Sequence, residues 1–343
     1  KSSLHMNTKL YTGNGGTQSI TGVGFQSDWS WFKKRNSAAD SSLIDAVRGV
    51  RKSLTSNNAE AEYTESAGLS AFNSDGFSFD GTGYDHVNTN GDTFASWNWK
   101  ANGAGSANTV GSVNSTVSVN TTSGFSIVKW TGTGANATVG HGLGAVPKMI
   151  ICKNTDTAVN WIVYHNKLDA SSPQNKYIEL NRTTGVQDYP MWNDTAPTSS
   201  VFSVGSDVAT NKSGSPIIAY CFSNVQGFSK IGSYTGNGNA DGTFVYTGFK
   251  PSFILAKRTD ATAGWVLFDN KRIGYNGSGN YWLDAQNNEA DQTDATGMFD
   301  QLSNGFKIRS SFGSRNASGG NYIYMAFAEA PLVGSNNVPC TAR

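Results

Sequence analysis

At 343 residues the chain is long enough for two or three ordinary domains, and 26 Lys and Arg against 25 Asp and Glu leave no net field to gather nucleic acid or an anionic membrane surface. Charged residues are only 15%, Gly numbers 39, and Asn, Ser and Thr fill much of the rest, so helix formers are scarce and turn formers abundant. No apolar run approaches the roughly 18–20 residues of a membrane-spanning helix. An all-β chain is expected, its strands supplied by Trp, Tyr, Phe, Val and Ile.

Residues 1–10, KSSLHMNTKL, show no apolar signal core and no initiator Met, and read as a tail on a mature or trimmed piece of a longer chain. From there the sequence repeats itself. Tyr11-Thr-Gly-Asn-Gly, Trp130-Thr-Gly-Thr-Gly and Tyr234-Thr-Gly-Asn-Gly mark three starts. A lysine follows each at a nearly constant distance, Lys33, Lys153 and Lys257, after the apolar runs 29–32, 149–152 and 253–256. Twelve residues later come Asp45, His165 and Asp269. Ser74-Asp-Gly-Phe matches Ser303-Asn-Gly-Phe, with Ser203-Val-Gly-Ser as the weakest copy. Each unit closes on an aromatic residue, Trp99, Phe222 or Phe327, with Gly91, Gly214 and Gly319 eight residues earlier.

A period near one hundred residues is too long for a solenoid repeat and long enough for a unit with its own core. The expectation is three tandem antiparallel β-sandwich repeats, jelly-roll-like, over 11–100, 125–229 and 230–330. Residues 101–124, KANGAGSANTVGSVNSTVSVNTTSG from Lys100 onward, read as a Gly/Ser/Asn-rich linker with a loose strand near 113–119, and 331–343 as a C-terminal tail. The short junction between the last two units implies a fixed relation, and the long one leaves the first unit free to swing. Leu43, Ile44, Val47, Val50 and Leu54 have helical spacing, but the equivalent segments ending at His165 and Asp269 are aromatic and β-branched, so 41–45 is expected as a strand and Arg48-Gly-Val as a turn.

The closing strands alternate with period two. One face carries Ala95, Trp97, Trp99; Ile218, Tyr220, Phe222; and Ile323, Met325, Phe327. That face is expected on each unit's own core, and the smaller opposite face toward a neighbour or solvent.

Catalytic motifs are sparse. No G-x-S-x-G elbow, P-loop or H-E-x-x-H occurs. Of His5, His86, His141 and His165, only His165 stands at a repeat anchor, where its counterparts are aspartates, and a general base would not alternate in this way. The pairs Lys33/Asp45, Lys153/His165 and Lys257/Asp269 read as cross-strand pairs on a solvent face, with a polar groove as the functional alternative. Loop 80–92 offers Asp80, Asp85 and Asp92 as weak Ca²⁺ ligands without EF-hand spacing, so neither metal nor cofactor is expected. Tyr189, Trp192, Tyr281 and Trp282 do not recur between units; beside Asn and Asp they are candidates for stacking on sugars, or else plugs in the ends of their own sandwiches. Glu60, Glu62 and Glu65 are the local carboxylate cluster, in a loop that reads as solvated. Cys152 and Cys221 lie in apolar runs and read as buried thiols, and Cys340 as exposed.

The cassettes GFQSDWSWFKKR, DAVRG, NGDTFASWNWKA, VGHGLGAVPKMIICK, GSYTGNGNADGTFVYTGFKPSFILAKR and YIYMAFAEAP resemble repeat domains of virion structural proteins of marine bacteriophages, of the cyanophage and pelagiphage type, over nearly the whole chain. There such repeats often follow a concanavalin-like lectin domain. The resemblance implies a non-enzymatic virion component: a tail fibre that meets host-surface polysaccharide, with a capsid decoration protein as the alternative and a polysaccharide-degrading enzyme as the third reading. It implies other virion proteins as partners and a homo-oligomer, a trimer by preference. Ser27 and Ser41 depart from the pattern, standing where the other units have Pro147 and Pro251, and Trp161 and Trp265.

Overall fold

The computed structural model describes residues 2–83, 87–272, 276, 279–294 and 298–329. Unit one holds β1 (Met6–Thr12), β2 (Thr17–Thr21), β3 (Trp29–Lys34), β4 (Ser42–Asp45), β5 (Lys52–Ser53), β6 (Tyr63–Thr64), β7 (Leu69–Asn73), β8 (Gly76–Asp80) and β9 (Thr93–Trp99). They form a larger sheet β1-β9-β3-β4, a smaller sheet β2-β8-β7 and the pair β5-β6.

Unit two holds β10 (Ser106–Asn108), β11 (Ser115–Asn120), β12 (Phe125–Thr131), β13 (Ala137–Gly140), β14 (Met149–Asn154), β15 (Ile162–His165), β16 (Lys176–Glu179), β17 (Gln187–Asp188), β18 (Val201–Val204) and β19 (Pro216–Phe222). The larger sheet runs β10-β11-β12-β19-β14-β15-β16-β17, and β13 pairs with β18.

Unit three holds β20 (Ser229–Thr235), β21 (Phe244–Tyr246), β22 (Pro251–Arg258), β23 (Trp265–Asp269), β24 (Asn280–Asp284), β25 (Gln292–Asp294), β26 (Phe299–Leu302), β27 (Gly305–Ile308) and β28 (Asn321–Ala328), in the sheets β20-β28-β22-β23-β24-β25 and β21-β27-β26. All strand pairs between these named strands are antiparallel. The chain is all-β, with single-turn α-helices only at Val208–Asn211 and Gly313–Asn316 and 3-10 turns at Ser2–Leu4 and Pro173–Asn175 among the described residues.

The bulky faces of the closing strands β9, β19 and β28 point away from their own smaller sheets, against the expectation, and meet in one shared core. Trp97, Trp99, Tyr220, Phe222, Met325 and Phe327 all belong to it, together with Trp29, Phe125 and Phe253. Trp29 stacks on Tyr220 at 4.2 Å and on Trp99 at 4.5 Å, and Trp99 meets Phe327 edge-on at 5.8 Å. The opposite faces of the larger sheets pack on each unit's smaller sheet: Phe32 of β3 with Phe77, Ala219 with Phe202, Tyr324 with Phe306. Large aromatics sit where three sheets converge because there the space to be filled is widest.

Three expectations fall with this. The first unit is not free to swing, because its indoles lie in the shared core. Residues 101–124 are not a linker, since β11 pairs over its whole length with β12, and Ser, Thr and Val supply its alternation. Nor is 1–10 a loose tail, since β1 begins at Met6 and pairs with β9 from Met6↔Trp99. The strand at 42–45 followed by a turn is as expected.

Register also corrects one repeat match. Phe77 pairs with Ile20, Phe306 with Val245, and in unit two it is Phe202 that pairs with Val139. The copy of Ser74-Asp-Gly-Phe is therefore Ser199-Ser-Val-Phe202, four residues before Ser203-Val-Gly-Ser.

Candidate functional site

The repeat anchors do not face solvent. Lys33, Lys153 and Lys257 are buried, as are Asp45, His165 and Asp269. Nor do they pair within a unit, because the register sets Trp29, not Lys33, opposite Asp45. Each lysine reaches into another unit: Lys33 Nζ donates to the Asn287 carbonyl at 2.7 Å, Lys153 Nζ to Ala59 at 3.2 Å and Lys257 Nζ to Thr183 at 3.2 Å. Unit one thus ties to three, two to one, and three to two. Burial lowers all three ammonium groups to about 8.

The same cycle recurs in backbone and indole bonds. The amides of Glu62, Val186 and Asp291 donate to the carbonyls of Thr155, Thr259 and Arg35. Trp161 Nε1 donates to Thr55 O and Trp265 Nε1 to Glu179 O, both at 2.8 Å. Where unit one has Ser41 instead of Trp, Ser41 Oγ meets Ser56 Oγ at 2.6 Å and Ser56 Oγ donates to Ala285 O at 2.7 Å, so two hydroxyls span the distance of one indole. These residues hold the three units in a closed ring.

Sequence comparison overlooked one recurrent residue, a fully buried asparagine three positions before each closing glycine: Asn88, Asn211 and Asn316. Each side-chain oxygen accepts from the backbone of the opening cassette, at Asn14, Thr133 and Asn237, and each amide group donates back to neighbouring loop oxygens. The glycine of each Tyr/Trp-Thr-Gly start is required beside it. A Cβ on Gly13, Gly132 or Gly236 would stand 2.2–2.3 Å from a backbone oxygen. The Asn-x-x-Gly spacing was the available signal.

The four aromatic candidates are not brought together. Tyr189 is 48% exposed, but Trp192 is 1% exposed and packs on Tyr164 at 5.9 Å, inside the core of unit two. Trp282 is buried under the Arg315 guanidinium, 4.8 Å from its ring centre, and Tyr281 is half-buried opposite Thr293. Both tryptophans are plugs of their own units rather than open platforms, because β18 and the Arg315 turn close over them. Asp80 is paired with Arg51, and Asp92 with Lys34 at 2.8 Å; Asp85, like His86 and Cys340, lies outside the described residues. No cluster of metal-ligating groups occurs among the described residues. Cys152 and Cys221 are buried, which pushes both thiols up.

The carboxylates near 60–65 are only partly solvated. Glu62 pairs with Arg48 at 3.1 Å, Glu65 is buried, and Glu60 and Glu65 line a cavity of about 430 Å³ with Asp40 and Tyr63. A larger groove, about 570 Å³, runs between β20 and β21 against unit two. Its floor is Tyr324, its sides include Ser233 and Val245, and its rim carries Lys167, Lys230 and the exposed Phe244 and Tyr246. This groove lies open to a partner, and no sequence motif marks it.

A family model described as a domain of unknown function (DUF7483) matches residues 1–331, nearly the whole chain. No curated protein and no solved structure matches it.

Proposed function

We propose, from the premise that this chain belongs to the DUF7483 family, that it is a non-enzymatic structural component of a bacteriophage particle, built as three tandem jelly-roll-like β-sandwich repeats. The observation that carries this reading is the closed cycle of buried Lys33, Lys153 and Lys257. The residues that recur between units serve to lock the units to one another, as a mechanical module requires, and the unit edges remain to meet other proteins. The resemblance of its cassettes to marine phage virion repeats supports the same reading. A tail fibre or similar appendage is the preferred location, with other virion proteins as partners, a homotrimer as the assembly, and host-surface glycan meeting exposed rings such as Tyr189 and Tyr246.

The test is to purify particles and locate the protein by immunogold labelling and cryo-EM. Labelled tails with copy numbers in multiples of three are expected. Label following the capsid lattice would assign it instead to head decoration, and particles lacking the protein would overturn the reading.

A further inference from the structure

The three units treat one equivalent opening in three different ways. In each, the strand that carries the opening Tyr/Trp-Thr or runs up to it (β1, β12, β20) and the first strand of the smaller sheet (β2, β13, β21) flank the same place. Lys9, Val128 and Gly232 occupy matching positions on β1, β12 and β20, paired with Ser96, Ala219 and Tyr324 of the closing strands. In unit one the Lys9 side chain crosses the gap, its Nζ lying 3.1 Å from where a Cβ on Gly22 would stand. In unit two a separate stretch of chain fills it. There β11 pairs with β12, Gly111 and Val113 bridge to Val139 of β13, and Val117 is buried in the core. Unit three has neither device. Gly232 offers no side chain, and the place that β11 fills in unit two is the 570 Å³ groove.

The β20 edge is open in its second half, since Ser229 already bridges to Val225. The Ile231 amide is taken by Asn224 Oδ1 at 2.7 Å rather than by a strand, so by alternation the odd-numbered residues of β20 turn their backbone groups away from β28. Ser233, exposed and two residues on, therefore presents its amide and carbonyl to the groove, at the position where Lys129 faces Thr116 in unit two. Lys167 and Lys230 stand at the end of the groove near the start of β20, and neither has an ion-pair partner among the described residues.

We propose that this groove accepts an extended segment of another polypeptide as an added antiparallel strand, with small β-branched residues at alternate positions and carboxylates at its C-terminal end facing Lys167 and Lys230. The chain's own filling of the matching gap is the template, and the antiparallel direction points the C-terminus of the incoming strand toward Lys230, with pairing ending short of Ile231, whose amide Asn224 already holds. The proposed strand addition stands or falls apart from the assignment to a phage particle.

The probe is a fluorescein-labelled peptide copying residues 108–120 followed by two glutamates, titrated by anisotropy against the full chain. Saturable binding is expected, with new hydrogen-exchange protection confined to 233–235. Ser233→Pro removes only an outward amide and should weaken binding at least tenfold with the melting temperature held; Lys230→Glu should weaken it severalfold. Equal binding of a scrambled peptide, binding indifferent to Ser233→Pro and Lys230→Glu alike, or no binding at all would overturn the proposal. Self-association in sedimentation velocity that Ser233→Pro abolishes would give the groove to a second copy instead. An acidic oligosaccharide that binds there while the peptide does not would make it a glycan site, and either result also overturns it.

Discussion

Tyr220 Oη donates to Asp45 Oδ2 at 2.9 Å, joining the closing strand of unit two to β4 of unit one. Trp97 Nε1 does the same to Asp269 Oδ2 at 3.0 Å, from unit one to unit three. Behind each aspartate stands a buried arginine and a second carboxylate: Arg48 with Glu62, and Arg272 with Asp291. At the third junction the incoming residue is Met325, which has no donor. There the aspartate becomes His165, the arginine Leu168, and the second carboxylate Val186, identified by its matching backbone bond to Thr259. Four positions have changed together, from a hydrogen-bonded ionic cluster to a neutral one.

That exchange predicts how unit one will respond to mutation. Asp45→Ala strands Arg48 in the interior and should cost about 3–5 kcal/mol in chemical denaturation. Importing the neutral set, D45H with R48L, E62V and Y220M, should recover more than half of the loss, because a well-packed apolar cluster can match a buried ion pair. A quadruple variant no more stable than Asp45→Ala would refute the equivalence.

The repeat and the all-β class were legible because period two and turn chemistry are local. The direction of the bulky strand faces was not. Trp97 and Trp99 look the same from within one unit whether they face a private core or a shared one, and only the packing of three units decides it. Lys33 and Asp45 read as a solvated pair because charge usually signals exposure, and partners some 250 residues away, such as Asn287, leave no local trace. The groove beside β20 was invisible for a further reason: it is defined by what unit three lacks relative to its neighbours.

The buried lysines predict an alkaline stability gain. Each has its folded pKa lowered from 10.5 to about 8, so between those values the unfolded chain binds more protons and stability rises with pH; below about pH 8 the three add no slope. Denaturant midpoints measured from pH 8 to 9.5 should climb, on the order of 1–2 kcal/mol per lysine. Lys→Met at any one of the three should flatten the climb by about a third.

His165 predicts the acid side. Burial lowers it from 6.5 to about 4, so it is neutral in the fold, and protonation favours the unfolded chain as pH falls through that window. His165→Asn removes this titration. The stability difference between wild type and variant should therefore change by up to about 3 kcal/mol between pH 6.5 and pH 4 and stay level above pH 7. A parallel pH dependence in the two proteins would show that His165 titrates alike in the folded and unfolded chain and refute the shift.

Residues 106–120 predict a protease-resistant segment in what the composition presents as a linker. Ser118 Oγ accepts from the Asn102 amide at 2.8 Å, the Ser112 amide donates to the Thr138 carbonyl while the Thr138 amide donates to Ser112 Oγ, and Val117 is buried among Val128, Val139 and Leu143. Limited proteolysis of the native chain should leave this stretch uncut. Val117→Ala should cost about 1–3 kcal/mol through lost burial, and Val117→Asp more, through a carboxylate with no partner in that core. The Asp variant should also expose the segment to cleavage, since the forces that hold it across β12 and β13 are the ones an added strand would use on β20.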